Sequence, residues 1–297
     1  MRRFVLSSAL LLVVACATVN PEYDPDGADT GASTGRTTEP TTGRDTDDTG
    51  GASGTGGTDA RCGADLYAIN EVGDLYLLDL DSGVVSRELS DNQLVESWAI
   101  GTHPGSGMIY ISPINNPMTL RTVDPVTFDV ALQGIPVAEP QIAPVGRAGF
   151  DASGMVWLGT FDTSLFVPVD PGQGTGGPRI FDSGTGGDMA FVAAELVLVV
   201  SEAGDGYLLD LSDNSRDEVP ITGLPGEITG LAFDADDRLW ASTRKGTLLR
   251  ILVDWTGSTP AFTVDATQVH ELRTDDEPSG IPIDDLAPVV VPPEGCS

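Results

Sequence analysis

Basic side chains are scarce in this sequence: 15 Lys and Arg stand against 45 Asp and Glu over 297 residues, a formal net charge of −30 with the two His taken as neutral. A surface that acidic repels phosphate backbones and anionic headgroups, which excludes nucleic acid and an electrostatic membrane interface as partners of the folded part. Long apolar runs are missing apart from residues 4–14, which are too few to span a bilayer as a helix. Cysteine occurs only as Cys16, Cys62 and Cys296, and with His103 and His270 the sole histidines, no zinc-type ligand spacing exists. Nucleophile and phosphate motifs are absent as well. There is no G-x-S-x-G elbow, and Gly172-Gln-Gly-Thr-Gly-Gly177 and Gly184-Thr-Gly-Gly187 have neither the Lys-Ser/Thr of a P-loop nor G-x-G-x-x-G spacing, so they read as loops between strands. No run fits the D-x-[DN]-x-[DN]-G-x5-E calcium loop.

What the chain does have is a period. Turn residues Asp81, Asp124, Asp170, Ser212 and Asp254 recur 43, 46, 42 and 42 residues apart. An eight-residue hairpin phrase precedes them in register: His103 to Tyr110, Phe150 to Trp157, Phe191 to Leu198 and Phe233 to Trp240. Asp or Pro opening such a turn and Gly or Asp closing it is tight-hairpin chemistry, because Asx side chains bond their own backbone and Gly takes positive φ. The stretch Thr229 to Asp254 shows the whole unit as three short strands. Units of this length with three or four strands have the size of β-propeller blades, so an all-β propeller of five blades is expected over residues 62–296. The residues between Trp255 and Asp285 leave room for a sixth. The first unit lacks its first strand, while Asp285 to Val291 resembles an orphan one, which predicts that the two ends share a blade.

The (F)DAxGxxW and LxxxD phrases resemble those of the broad NHL, SMP-30-like and YVTN propeller group. The likeness covers roughly residues 62–296 and implies the fold; its phrases are specific to no activity.

Met1-Arg2-Arg3 followed by apolar residues 4–14 has the flanks of a secretory signal, predicting a signal peptide over residues 1–15. Val13-Val14-Ala15-Cys16 resembles a bacterial lipobox, which implies cleavage before Cys16 and its lipidation; an ordinary signal with Cys16 as a bystander is the alternative. Ala17, in place of the Asp that resemblance associates with inner-membrane retention, directs the expectation to the outer membrane. Residues 17–61 hold 11 Thr and 9 Gly in 45 positions, with nine acids against three bases, and cannot bury enough surface to offset chain entropy. They form a disordered tether with a reach of about 35 to 40 Å. With Cys16 acylated, Cys62 and Cys296 remain at the two ends of the domain, where an oxidising envelope would bridge them as a disulfide; two free thiols are the alternative.

Three residues before Phe150, Phe191 and Phe233 stand Arg147, Asp188 and Gly230, with Ile100 and Asp285 at the matching places. Innermost strands face a propeller's channel, so Arg147, Asp188 and Asp285, with Glu227 and Glu96 just upstream, are candidates for a cluster at one channel mouth. Converging carboxylates there suit a divalent cation such as calcium, or an acid and base pair. His103 sits at the register of the core phenylalanines and reads as a structural side chain rather than a base. Trp157 and Trp240 should pack between blades, and Trp98 and Trp255 lie at strand margins where a ring can face a ligand. Two function classes follow: a monomeric, lipid-anchored binding or scaffold module with a protein or polysaccharide partner and no cofactor, or a metal-dependent hydrolase, lactonase or glycosidase at the channel mouth.

Overall fold

The computed structural model describes residues 65–80, 84–90, 94, 96–113, 119–136, 144–160, 165–174, 180–181, 187–256, 260–273 and 280–291. Cys16, Cys62, Cys296, the signal and the tether lie outside them. Among the described residues there is no helix.

In chain order, β1 (Leu66–Ile69), β2 (Asp74–Leu78) and β3 (Val85–Ser90) begin blade 1, and β4 (Ser97–Thr102), β5 (Ile109–Pro113), β6 (Thr119–Val123) and β7 (Val130–Pro136) make blade 2. Blade 3 is β8 (Val145–Phe150), β9 (Val156–Thr160), β10 (Leu165–Val169) and β11 (Ile180–Phe181); blade 4 is β12 (Asp188–Ala193), β13 (Leu196–Val200), β14 (Gly206–Asp210) and β15 (Ser215–Val219). Blade 5 takes β16 (Ile221–Thr222), β17 (Ile228–Phe233), β18 (Leu239–Thr243), β19 (Thr247–Asp254) and β20 (Ala261–Glu271), with β16 added parallel to β20 at the outer edge. The last strand among the described residues is β21 (Asp285–Pro288), which pairs antiparallel with β1, Leu66 opposite Pro288 and Ile69 opposite Asp285. Blade 1 is thus built from both ends, as the orphan-strand pattern predicts.

The five innermost strands, β21, β4, β8, β12 and β17, each contact the next and close a ring. The protein is a five-bladed β-propeller. The stretch that left room for a sixth blade supplies the eleven-residue β20 and the buried Ile281 and Ile283 instead.

Five apolar clusters lie one between each pair of neighbouring blades. Leu66, Tyr76, Trp240 and Leu286 join blades 5 and 1; Tyr67, Ile69, Ile100 and Ile111 join blades 1 and 2; Leu120, Val145 and Leu158 join blades 2 and 3. Phe166, Met189 and Tyr207 join blades 3 and 4, and Leu198, Leu231 and Leu249 join blades 4 and 5. Because successive residues of one strand serve opposite clusters, both faces of a blade are dry. That is why segments such as Leu66-Tyr67-Ala68-Ile69 are continuously apolar rather than alternating. Each such Leu or Ile contributes about 1.5 to 3 kcal/mol on burial.

The repeating acids form the turns. Asp124 Oδ1 accepts from the Val126 and Thr127 N–H groups at 2.8 and 2.9 Å. Asp170 Oδ1 accepts from Gly172 and Gln173 at 2.7 and 3.1 Å, and Asp254 Oδ1 from Thr256 N–H at 2.9 Å. In blade 4 the equivalent residue is Asp210, which accepts from Ser212 N–H at 2.9 Å, so the register belongs to Asp210 and not to Ser212. Asp81 lies outside the described residues.

Candidate functional site

The ring of inner strands places Ile100 (β4), Arg147 (β8), Asp188 (β12), Gly230 (β17) and Asp285 (β21) at one level of the channel. Arg147, Asp188 and Asp285 are all 0% exposed. They are therefore brought together, but inside the channel wall rather than at its mouth. Asp285 Oδ2 accepts from Ile100 N–H at 2.7 Å, linking blade 1 to blade 2, and Asp188 Oδ2 accepts from Leu231 N–H, linking blade 4 to blade 5. Gly230 has no side chain because a Cβ there would lie 2.4 Å from Ser242 Oγ and 2.9 Å from Leu286 N. The close approach of β21 demands glycine.

Electrostatics explain how three ionisable groups tolerate this burial. The carboxyls of Asp188 and Asp285 are close enough to influence each other, and two neighbouring buried carboxyls resist ionising together. Desolvation pushes both above the carboxylate range; Asp188's charge raises Asp285 further, while the Arg147 guanidinium and backbone N–H donors draw Asp188 partway back. Arg147 Nη2 also donates to Thr160 O at 3.2 Å, and its guanidinium lies 5.3 Å from the Phe166 ring centre.

Glu227 and Glu96 stand apart from this layer. Glu227 is half exposed and its Oε2 meets Lys245 Nζ at 2.7 Å; Glu96 is exposed. Both take left-handed backbone, with φ of 57° and 61°. Their N–H groups donate to Glu202 O at 2.6 Å and Glu71 O at 2.8 Å, the turns after the second strands of the preceding blades. Their backbones latch one blade to the next, and their carboxylates face solvent.

Sequence reasoning missed Asp284. Burial pushes its carboxyl up to about 6, Glu71's charge adds to that, and the Glu71 backbone bond and Arg244 oppose it. With Trp98, Glu202, Thr229 and Arg244 it lines a space of about 20 Å³ at the end of the channel where the inner strands begin. Arg244 Nη2 pairs with Glu202 Oε1 at 3.2 Å. This mouth is polar and nearly filled, with room for about one water. Among the described residues no group of three or more His, Cys, Asp or Glu is arranged to hold a metal ion.

The opposite mouth is apolar. Phe150 and Phe233 end β8 and β17, and with Phe191 near the end of β12 they surround a cavity of about 150 Å³, with Pro104, Pro288 and Val290 completing the rim and Ile100, Met189, Leu231 and Leu286 lying deeper. Nothing in the acid pattern points to it. The signal lay in the phenylalanines, which sequence reading assigns to core.

His103, Trp157 and Trp240 are structural. His103 Nδ1 accepts from Gly105 and Ser106 N–H groups, both at 3.1 Å, and its ring meets Phe150 edge-on at 5.4 Å. The Asp of the FDA phrase explains the Trp that follows it. Asp151 Oδ2 accepts from Trp157 Nε1 at 2.9 Å and Asp234 Oδ2 from Trp240 Nε1 at 2.9 Å, while their Oδ1 atoms close the turns. Trp157 packs with blade 4 and Trp240 with blade 1, as expected of rings between blades. Trp255 is 52% exposed.

No family model matches this chain, and no curated protein matches it. Among solved structures it is similar to a chain of the nidogen/laminin complex, with a TM-score of 0.52, 11% identity, and coverage of 76% of this chain and 98% of that one. Virginiamycin B lyase from Staphylococcus aureus aligns with a TM-score of 0.41 at 9% identity over 68% of this chain and 70% of that one. A streptogramin B lyase gives 0.40 at 12% identity over 68% of each. At 11% identity the first of these likenesses is one of fold alone.

Proposed function

We propose that the chain is a lipid-anchored binding module of the bacterial cell envelope, held at the outer membrane through Cys16 and presenting the propeller on its acidic tether, with Cys62 and Cys296 bridged. The observation that carries the binding reading is the complete burial of Arg147, Asp188 and Asp285. The acids that would serve as metal ligands or as an acid and base pair are committed to joining blades, whereas both channel mouths present other chemistry. A propeller chain from a protein complex among the structural neighbours is consistent with a partner-binding use. The phrases resembling the NHL, SMP-30-like and YVTN group fit the same reading.

A metal-dependent hydrolase or lactonase is the second reading, favoured by the raised carboxyl pair of Asp188 and Asp285. Calorimetric titration of the full chain with calcium, manganese and zinc separates the two. The binding module takes up no metal in a 1:1, micromolar fashion. Such uptake, lost in Asp188→Asn and Asp285→Asn, would replace it with the hydrolase. The anchor is tested separately: Cys16→Ser should move the exported protein from the membrane to the soluble fraction, and unchanged partition would remove the lipid from the proposal.

A further inference from the structure

We propose that the groove between blades 4 and 5 docks a basic segment of a partner protein, with an arginine or lysine lying over Trp255 and beside Asp236 and Asp237. The inference names a partner class for the binding reading and rests on that reading.

Shape is the first observation. The groove measures about 630 Å³ and starts at Phe191 and Phe233, which also line the apolar channel mouth. It runs outward over Leu239, Ile251 and Val253 to Trp255, just past the end of β19. Its floor is apolar because Leu239 and Ile251 belong to the cluster joining blades 4 and 5, with Val253 packed against it. Trp255 is 52% exposed, so a large ring that would gain from burial is left half in water at the open end. Arg250 borders the groove as well. It lies opposite Trp240, whose ring serves the cluster of blades 5 and 1, so strand alternation directs its guanidinium to that side, where its charge acts on Asp265.

The second observation is charge, and it names the occupant. Asp236 and Asp237, in the hairpin between β17 and β18, line the groove and are exposed. The turns that follow third strands at the same end of the propeller carry Asp124, Asp170, Asp210 and Asp254. Among the described turn residues at that end the single base is Arg238, and Asp234, Asp236 and Asp65 share it at 2.6, 3.3 and 3.8 Å. A field of one sign around an apolar groove steers a cationic partner in and keeps an anionic one out. The indole offers a guanidinium or ammonium its best aromatic face, and carboxylates beside it accept the N–H donors. An apolar centre with a charged rim is also the anatomy of a protein interface. A neutral polysaccharide would gain from the ring and nothing from the charge, which is why the basic protein segment fits better.

The test is fluorescence anisotropy of a labelled, capped Gly-Arg-Leu-Arg-Gly peptide titrated with the full chain, beside the same peptide carrying Glu for Arg. The expected result is saturable binding of the Arg peptide that weakens as salt is raised, and none of the Glu peptide. Trp255→Ala should weaken the Arg peptide about fivefold at unchanged melting temperature, with Trp255→Phe recovering part of the loss. Asp237→Asn should weaken it about twofold; Asn tolerates the left-handed backbone that Asp237 takes there. Asp129→Asn, which removes the same charge from blade 2, should leave the affinity near wild type. Absence of Arg-peptide binding would overturn the proposal. So would equal weakening by Asp129→Asn and Asp237→Asn with Trp255→Ala silent, because the attraction would then be diffuse and the groove no site. Binding of maltohexaose that depends on Trp255, without binding of the Arg peptide, would overturn it by assigning the ring to a saccharide. The metal titration is read at Asp188 and Asp285 and these outcomes at Trp255 and Asp237, so the two readings can fail separately.

Discussion

Aspartates at the channel axis and aspartates at the hairpin turns put one residue type to opposite electrostatic use. Asp188 and Asp285 are cut off from water, and desolvation drives both carboxyls above the ordinary range. Asp213, Asp254 and Asp265 sit in full solvent, where hydrogen bonds from Ser215, Thr256 and Thr267 hold them below the usual range. The first group is tolerated because it joins blades, the second because it closes turns. A strongly acidic composition therefore carries little information about a site: much of the charge goes to the turns that a repeated β-fold needs at every blade.

The largest expected break in that comparison comes from Asp285→Ala. It removes the acceptor for Ile100 N–H and one of two neighbouring buried carboxyls beside a buried guanidinium, and should cost about 3 to 5 kcal/mol in urea denaturation. Asp285→Asn, which keeps an acceptor oxygen, should cost much less. Equal losses for the two would mean that the polar pairing contributes little.

Next comes Asp234→Ala, which strips partners from Trp240 Nε1, Arg238 Nε and two turn N–H groups at once. The expected loss is about 2 to 3 kcal/mol, together with a shift in the near-ultraviolet signal of Trp240. A loss without that spectroscopic change would place the effect in the turn alone.

A third expectation concerns pH. Asp188, raised to about 7, holds a proton in the native state that the unfolded chain gives up near pH 4, so its contribution is complete below the unfolded value. It is lost as the pH rises towards 7, and Asp284, raised to about 6, acts in the same direction. Exposed turn carboxylates with lowered values act oppositely, losing their contribution as the pH falls below the ordinary range. Asp188→Asn, which fixes the neutral form, should flatten the decline between pH 5 and pH 8 measured by urea midpoints. A variant as steep as the wild type would show that Asp188 does not titrate there. The smallest change is expected for Asp254→Ala, a solvent-exposed turn acceptor, whose midpoint should lie close to wild type.

Much of the architecture was legible because it repeats. The hairpin phrases and turn acids mark strand boundaries in blade after blade, and Asp285 to Val291 could be matched to the missing first strand of blade 1. The one register error, Ser212 for Asp210, arose because DLSDN offers two turn residues close together and only the hydrogen bond identifies which accepts. The site was less legible. Register placed Arg147, Asp188 and Asp285 at one level but gave no depth, so a buried clamp and an open mouth looked alike. Glu227 and Glu96 look like ligands in the sequence, whereas their left-handed backbones are what the fold uses.

Local chemistry by itself determined the strands, the turns, the five-fold count as the leading expectation, and the meeting of the two chain ends, because each follows from periods and turn residues that act over a few positions. Tertiary structure decided the rest. Ring closure removes water from the axis, which raises two neighbouring carboxyls, and it leaves small residues facing one another across the channel end, which opens an apolar cavity. Both results depend on distances between residues up to 185 positions apart, and no local pattern encodes such a distance.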